Sequence, residues 1–561
     1  MPGYALALTL VILGPLLAPG YLLIRDAVST PRSYLTDTAL GLTQAAPRAL
    51  PQDFLVAVAS HLINGGVVVK ALLFAGIALG GVGAARLAAV LVQAGLPGQL
   101  TATTVAIWNP YVAERLLQGH WSLLVGYGAL PWVALAAHRR ALPLLVLAIA
   151  TAGLTPTGLV LALIVALVAG RCRVTALTTV LASIGSALPW LVATAVSHSV
   201  LPVASAGVSV FAARAEPGLG TAGALAGLGG IWNGAAVPAS RTSLFAVIAT
   251  LVLLAVVLAG VRRAWGSPGA RRLLVLAAVT LVAAAVLATG PGLEFLTWMI
   301  RVAPGAGLLR DGQKWMALAM PGYAVAAAAG VSALRAYQGA AGAVACAALI
   351  AVLPDLALGV GGQVRPVHYP AGWRAVAAQI NGAPAPVAVL PPDVIRQFSW
   401  AGPEPVLDPL PRWVAGDVLV TGDLVIGHIV VPGEGSHARA VQEMLLHNAS
   451  RAQLAAAGVG WVVIEAANPP GAAGPAPADV PSVRSPGFGP KLNLPLVYRD
   501  HDMALYRIGG TMAHSPHRGL LIAAHLVWLA MVLGGLAATV GAAVTDRLRD
   551  RQSPSLTTPS M

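Results

Sequence analysis

Charge is what this sequence has least of. Of its 561 residues, 10% are Asp, Glu, Lys or Arg, against about 25% in an ordinary soluble domain. With 57% of the chain hydrophobic, so few charges cannot keep a whole surface in water. Intrinsic disorder is excluded by the same figures, because it needs low hydrophobicity and high charge. Cysteine is nearly absent: Cys172 lies in a basic turn and Cys346 inside an apolar run. Neither a disulfide framework nor a cysteine metal site is expected from two such residues. Lysine is confined to Lys70, Lys314 and Lys491. There is no Walker A sequence, no HExxH and no Gly-rich dinucleotide fingerprint, and the histidines lack metal-ligand spacing. Nucleotide hydrolysis and zinc proteolysis are therefore poor readings.

What the chain has is long apolar runs, with a mean hydropathy of +0.77. Runs near 20 apolar residues mark membrane spans. Twelve are expected, at 4–24, 67–85, 90–107, 121–137, 141–155, 157–170, 174–196, 243–261, 273–290, 316–334, 339–359 and 519–544. The first lacks a basic leader and is interrupted by Pro15 and Pro19, so it reads as a retained span rather than a signal peptide. Lys and Arg total 34 against 21 Asp and Glu, a net charge of +13. In a soluble chain that excess would suggest nucleic acid; here it falls largely in short turns between spans, and no nucleic-acid partner is expected. With a cytoplasmic N-terminus, Arg86, Arg139-Arg140, Arg171, Arg173, Arg262-Arg263, Arg271-Arg272, Arg335 and the tail residues Arg547, Arg549 and Arg551 all face the cytoplasm. The chain is then expected to be a multi-pass protein of a bacterial plasma membrane with both termini in the cytoplasm.

The opposite face carries the longer connections, 25–66, 108–120, 198–242 and 291–315, and the segment 360–518. That segment has strand-like runs at Val387 to Leu390 and Trp461 to Ile464. It has amphipathic helix patterns at Trp373 to Ile380 and Ala438 to His447, with Pro and Gly between them. The expected fold is a polytopic α-helical membrane protein of about twelve spans with an extracytoplasmic α/β domain. Its parts are a membrane domain at 1–359, an outer domain at 360–518, a last span at 519–544 and a cytoplasmic tail at 545–561.

Three polar clusters lie on the outer face. In the first, Asp26 stands about two residues beyond an apolar run, with Arg25 before it and Arg32, Asp37, Arg48 and Asp53 following. A carboxylate held at the interface suits a general base on a hydroxyl, or a divalent metal such as Mg or Mn. The alternative is an anchor paired with Arg25 or Arg32. Asp37 is a secondary candidate, and Asp53 suits the first turn of a helix. The second cluster runs from Trp108 through Asn109, Tyr111, Glu114, Arg115, Gln118 and His120 to Trp121. Asn109-Pro110 reads as a turn opening a short helix on which Tyr111 and Arg115 are neighbours. The helix suits a sugar or phosphate pocket, with Glu114 a second acid or metal candidate; the alternative is an aromatic belt with a solvated Glu114–Arg115 pair. The third cluster is Arg301 with Arg310, Asp311, Lys314 and Trp315. Cations at membrane depth on a face that should be poor in them suit a lipid-linked phosphate; the alternative is a snorkelling anchor.

An early aspartate in the first outer loop after one span resembles the GT-C superfamily of integral-membrane glycosyltransferases. The stretch Asn109-Pro-Tyr-Val-Ala-Glu-Arg, Gly119-His-Trp and the stretch Arg310-Asp-Gly-Gln-Lys-Trp315 resemble segments of actinobacterial envelope enzymes of the mycobacterial arabinofuranosyltransferase type. The resemblance covers roughly residues 1–360, and the outer domain is similar to those enzymes' outer domains in architecture. It implies a polyprenyl-phosphate sugar donor and an envelope glycan or glycolipid acceptor among membrane lipids. Asp26 would be the catalytic carboxylate; Arg310, Lys314 and Arg301 would be donor-phosphate candidates by charge and depth. Asn109, Tyr111, Arg115, His120, Trp121, Asp311 and Trp315 would be pocket candidates. The family pattern often has two adjacent acidic residues in this loop, whereas Asp26 here adjoins Arg25. The rival functions are a transporter or flippase of envelope lipids, and a non-catalytic assembly partner binding glycan or protein through 360–518.

Overall fold

The computed structural model describes the chain except residues 44–48, 198–206, 304, 392–393, 427–428, 432, 468–491, 512–513 and 553–561. At 197, 424–426, 429–430 and 546–552 it describes the backbone alone. Arg48 and Lys491 lie outside the described residues, and nothing is said of the side chains of Arg547, Arg549 and Arg551. The protein is a membrane-embedded helical bundle. Among the described residues, six helices have the length and hydropathy to cross a bilayer: Gly65–Val92, Arg173–Val196, Phe245–Trp265, Pro268–Leu287, Gly312–Ala333 and Arg518–Thr545. A further pair, Arg335–Ala351 and Pro354–Gly362, meets the same test together but bends by 73°.

Each remaining apolar run also falls on a helix, but several are short. Leu142–Ala152 has 11 residues, which at about 1.5 Å per residue covers roughly half of a ~30 Å hydrocarbon layer. The first run departs from expectation. It is helical over Pro2–Leu13 and continues as a 3-10 turn over Gly14–Leu17. Tyr21–Ile24, expected inside the span, is instead a β-strand. Pro15 cannot donate back along the helix. Ala18 precedes Pro19 and is extended, at φ −63° and ψ 151°, as the residue before a proline prefers. Apolar content alone does not separate a buried strand from a helix.

Glycine sets how closely the bundle packs. A Cβ on Gly128 would lie 2.0 Å from the Gly76 carbonyl oxygen, and one on Gly260 would lie 1.8 Å from that of Ala326. Trp121–Arg139 therefore touches Gly65–Val92 backbone to backbone, and Phe245–Trp265 touches Met320–Ala333 in the same way. Such contacts replace the hydrophobic effect between helices in lipid.

Beyond the bundle, residues 366–508 build an α/β unit on a four-stranded sheet. The order is Leu496–Arg499, Met503–Arg507, Trp461–Glu465, Val387–Leu390. The first two pairings are antiparallel and the last is parallel. Its side chains alternate with period two. Val387, Val389, Val463 and Leu505 pack with Trp373, Val376 and Ile380 of the Ala371–Gly382 helix. Ala388, Val462, Ile464 and Ala504 pack on the other face with Val441 and Leu445 of Ser436–Leu446 and with Leu454.

This unit is interlocked with the loop after the first helix. Tyr21–Ile24 is the centre of a three-stranded sheet, between Ala27–Val28 and Pro366–Val367. Four connections expected on one face meet there. Arg25 donates to the Leu117 carbonyl at 2.6 Å and the Ala235 carbonyl at 2.6 Å, and Arg115 donates to Asp311 at 2.8 Å. In a different region of the bundle, Arg272 donates to the Gly170 carbonyl at 2.9 Å, joining two of the basic turns.

The helix contact at Gly260 gives a direct test. Gly260→Val should lower the thermal midpoint of the detergent-purified protein by several degrees, since overpacking costs about 1–3 kcal/mol. Gly541→Ala, where a Cβ meets nothing within 4 Å, should leave it unchanged. Equal midpoints for the two variants would show that the helices are not in backbone contact at Gly260.

Candidate active site

The site grows from a hairpin. Ile24 pairs with Ala27, so Arg25 and Asp26 form a two-residue turn. Such turns need a positive φ at the first position, and Arg25 has φ 45°. A side chain in that conformation costs about 1–2 kcal/mol, and the surrounding bonds offset it. The Arg25 guanidinium binds the Leu117 and Ala235 carbonyls and the Glu404 carboxylate. The Arg25 N–H donates to Pro405 O at 3.0 Å, and Leu407 N–H donates to Arg25 O at 2.7 Å. Asp26 N–H donates to Gln118 O at 3.1 Å. Gly119, at φ +81°, lets the hairpin seat: a Cβ there would lie 2.3 Å from Ala27 N.

The turn aims the Asp26 carboxylate at two donors. Its Oδ2 accepts from Gln118 Nε2 at 3.0 Å and pairs with His120 Nε2 at 2.9 Å. Its Oδ1 takes no hydrogen bond among the described residues, and the side chain is 41% exposed. The histidine tautomer follows from the network. Arg115 Nη1, which can only donate, lies 3.0 Å from His120 Nδ1. Nδ1 is thus the acceptor, and Nε2 carries the proton given to Asp26. Burial lowers His120 below its ordinary 6.5 against the Asp26 hydrogen bond, and the Lys314 and Arg115 cations lower it further; the ring is neutral at pH 7. Burial opposes ionisation of Asp26, but the His120 bond and charge, Gln118 and Lys314 outweigh it, and its carboxyl lies below the ordinary 3.8.

Arg115 is the hub behind this pair. Pro110–Leu117 is the short helix expected after Asn109-Pro110, and Asn109 Oδ1 caps it by accepting from Val112 N–H at 3.1 Å. Asn109 Nδ2 donates to Val105 O at 2.8 Å and to the Tyr127 hydroxyl at 3.0 Å, so Asn109 shapes the corner rather than facing a ligand. Arg115 is fully buried and grips Asp311 bidentately, at 2.8 and 2.9 Å. It also donates to Gln313 Oε1 and lies 5.5 Å over the Tyr111 ring. Burial opposes the Asp311 charge, but Arg115 first and Lys314 next hold that carboxyl far below the ordinary range. Tyr111 donates to Lys314 O at 3.1 Å, and Lys314 Nζ lies 3.7 Å from Asp311 Oδ2. The second and third clusters are therefore one site.

The aromatic-belt alternative fails here: Trp108, Tyr111 and Trp121 are all buried, as are Glu114 and Arg115. Glu114 accepts from the N–H groups of Gly230 at 3.2 Å and Ile231 at 3.1 Å, and from Gln313 Nε2 at 3.0 Å. It supports the 228–233 loop and leaves no oxygen for a substrate. Arg310 lies 4.8 Å over the Phe211 ring and Trp315 is half-buried. Arg301 is exposed in the last turn of Gly290–Val302. Asp37 is not with Asp26: it binds Arg518, Ser515 N–H at 2.8 Å and His514 at 3.6 Å, and so ties the first loop to the last long helix.

Gln118 and Gln313 stand inside the quoted motifs and Asn233 in a Gly-rich loop, but sequence reasoning named none of them as a site residue, and it passed over Glu404 entirely. Asn233 Nδ2 donates to Gln118 Oε1 at 2.8 Å, which orients the Gln118 amide toward Asp26. Gln118 follows Glu114 by one helical turn within a quoted motif, and that spacing was the available signal. No group of three His, Cys, Asp or Glu among the described residues could hold a metal ion. Asp26 offers one open oxygen, Asp311 is spent on Arg115 and Glu114 on amides, so the residues here do not build a divalent-cation site.

Neither a protein-family model nor a curated protein matches the sequence. The structure is similar to the cryo-EM structure of arabinofuranosyltransferase AftD from mycobacteria, with a TM-score of 0.54 at 17% sequence identity. The match covers 91% of this chain and 41% of that one, so this chain spans less than half the neighbour's length. A likeness at that identity concerns the fold alone: over 91% of its length this chain shares the fold of part of AftD.

Proposed function

We propose that the chain is a membrane glycosyltransferase that moves a sugar from a polyprenyl-phosphate donor to a hydroxyl of an envelope glycan or glycolipid. The observation that carries this is Asp26: an ionised carboxylate with Oδ2 fixed by two donors and Oδ1 open, with Lys314 close by. As the acceptor oxygen attacks the anomeric carbon, Asp26 Oδ1 takes its proton. The bond from the anomeric carbon to the phosphate oxygen breaks, and polyprenyl phosphate leaves with one more negative charge. Lys314 and Arg310 supply the cations for that charge. Neutral His120 keeps its Nε2 proton and holds the base in place.

A retaining route needs a second carboxylate as nucleophile. Both oxygens of Asp311 are held by Arg115, so direct displacement with inversion is the better reading. The name of the AftD neighbour makes an arabinofuranosyl donor the first to test. Sidedness follows the basic turns: twelve crossings, both termini cytoplasmic and 360–518 outside, with transfer on the outer face.

Asp26→Asn should lower kcat by about 10²–10⁴-fold while leaving the thermal midpoint unchanged; full activity would remove Asp26 as the base. Lys314→Ala should raise the donor KM by about tenfold or more, the worth of one charge-assisted hydrogen bond, and an unchanged KM would make Lys314 an anchor.

A base with a depressed pKa stays ionised until the pH falls through that lowered value. The rate should therefore be flat from about pH 6 to 8, and an acid limb centred there would show that a charged His120 is in control. Asp311→Asn strands the buried Arg115 charge and should cost about 3–5 kcal/mol of stability, read by thermal unfolding.

A further inference from the structure

A cavity of about 720 Å³ opens between the first loop and the α/β unit, within the size range of small-molecule sites. Asp26 is not in its lining. Val196, Ser515 and His517 line it, at the ends of the spans Arg173–Val196 and Arg518–Thr545; the cavity thus sits at the level where two helices leave the membrane. Its walls are apolar, from Leu42, Val389, Leu407, Pro411 and Val418.

The polar groups among those walls are mostly matched in charge. Asp37 pairs with Arg518, Asp53 with Arg412 at 3.1 Å, and Asp408 with Arg396 at 3.4 Å. Each lining arginine faces a carboxylate, so an anion finds no excess of positive charge, and a divalent ion finds three of the four lining carboxylates already spent on arginines. What remains is a mixture of open donors and acceptors. Asp417 Oδ1 accepts from Thr38 N–H at 2.9 Å and Thr38 Oγ1 at 3.0 Å, leaving Oδ2 open among the described residues. The Tyr34 hydroxyl and the Arg412 Nη groups make no hydrogen bond among the described residues. Groups that donate and accept at once, set on apolar carbons, fill such a wall best: the hydroxyls and C–H faces of a sugar.

We infer that this cavity is a non-catalytic binding site for a neutral saccharide chain, recognised by Asp417, Tyr34 and Arg412. The saccharide class stands on the cavity's own chemistry; that the bound chain is the acceptor rests on the transfer reading above. One strand separates the two places. Leu407 lines the cavity, and its N–H holds the Arg25 carbonyl beside Asp26.

The test uses the full chain in nanodiscs with an arabinofuranosyl tetrasaccharide and maltotetraose as probes, followed by saturation-transfer NMR titration. Wild type and Asp26→Asn should bind at least one probe saturably. Asp417→Asn, which keeps an oxygen for Thr38, and Tyr34→Ala should each weaken it about tenfold. The inference fails if wild type binds neither probe, if both cavity variants bind as wild type does, or if Asp26→Asn alone loses binding. Saturable binding without any transfer leaves this site standing and removes the transfer reading; transfer with cavity variants that bind normally removes this site alone.

Discussion

The buried pair of Arg115 and Asp311 is the constraint on which the rest of the site depends. Removing two charges from water is expensive, and such a pair often adds little net stability. Its value here is directional. Two parallel bonds fix the guanidinium plane, and the next N–H of that plane meets His120 Nδ1. That contact decides which ring nitrogen holds the proton, and so which atom faces Asp26. Gln313 ties the same guanidinium to Glu114, and Glu114 to the 228–233 loop. A change in any member is felt at the carboxylate through geometry rather than charge alone.

Much of this was legible in the sequence, for physical reasons that differ by element. The apolar runs located the helices because backbone in lipid must satisfy its own hydrogen bonds. The turn at Asn109-Pro110 was readable because Asn caps and Pro opens a helix. The sheet strands 387–390 and 461–465 were readable as β-rich runs bounded by turns. Tyr21–Ile24 was not, since its apolar residues look the same in a strand and a helix until the partner strand at 366–367 is known. The union of the Arg115 and Asp311 clusters was also hidden: 196 positions separate them, and no local pattern encodes such a pairing. Asp37 stood second to Asp26 in the sequence; its contacts with Arg518, Ser515 and His514 distinguish a strut from an open carboxylate.

The α/β unit is more than a module set upon the bundle. Its strand at Pro366–Val367 completes the sheet that carries the Arg25–Asp26 turn, and residues 404–407 clamp Arg25 by side chain and backbone. The membrane domain supplies Arg115, His120 and Lys314, while the α/β unit supplies the rigidity of the turn. Neither part alone holds Asp26 in its observed place.

That division orders the assembly of the site in time. Glu404 follows Arg25 by 379 positions, so Asp26 is synthesised long before the strand that fixes its turn. A ribosome must pass the helices up to Gly362 and then residues 404–407 before the left-handed Arg25 is held, and the last long helix, Arg518–Thr545, follows later still. An unfinished chain can contain every group that touches the Asp26 carboxylate and still lack the bonds that hold its turn.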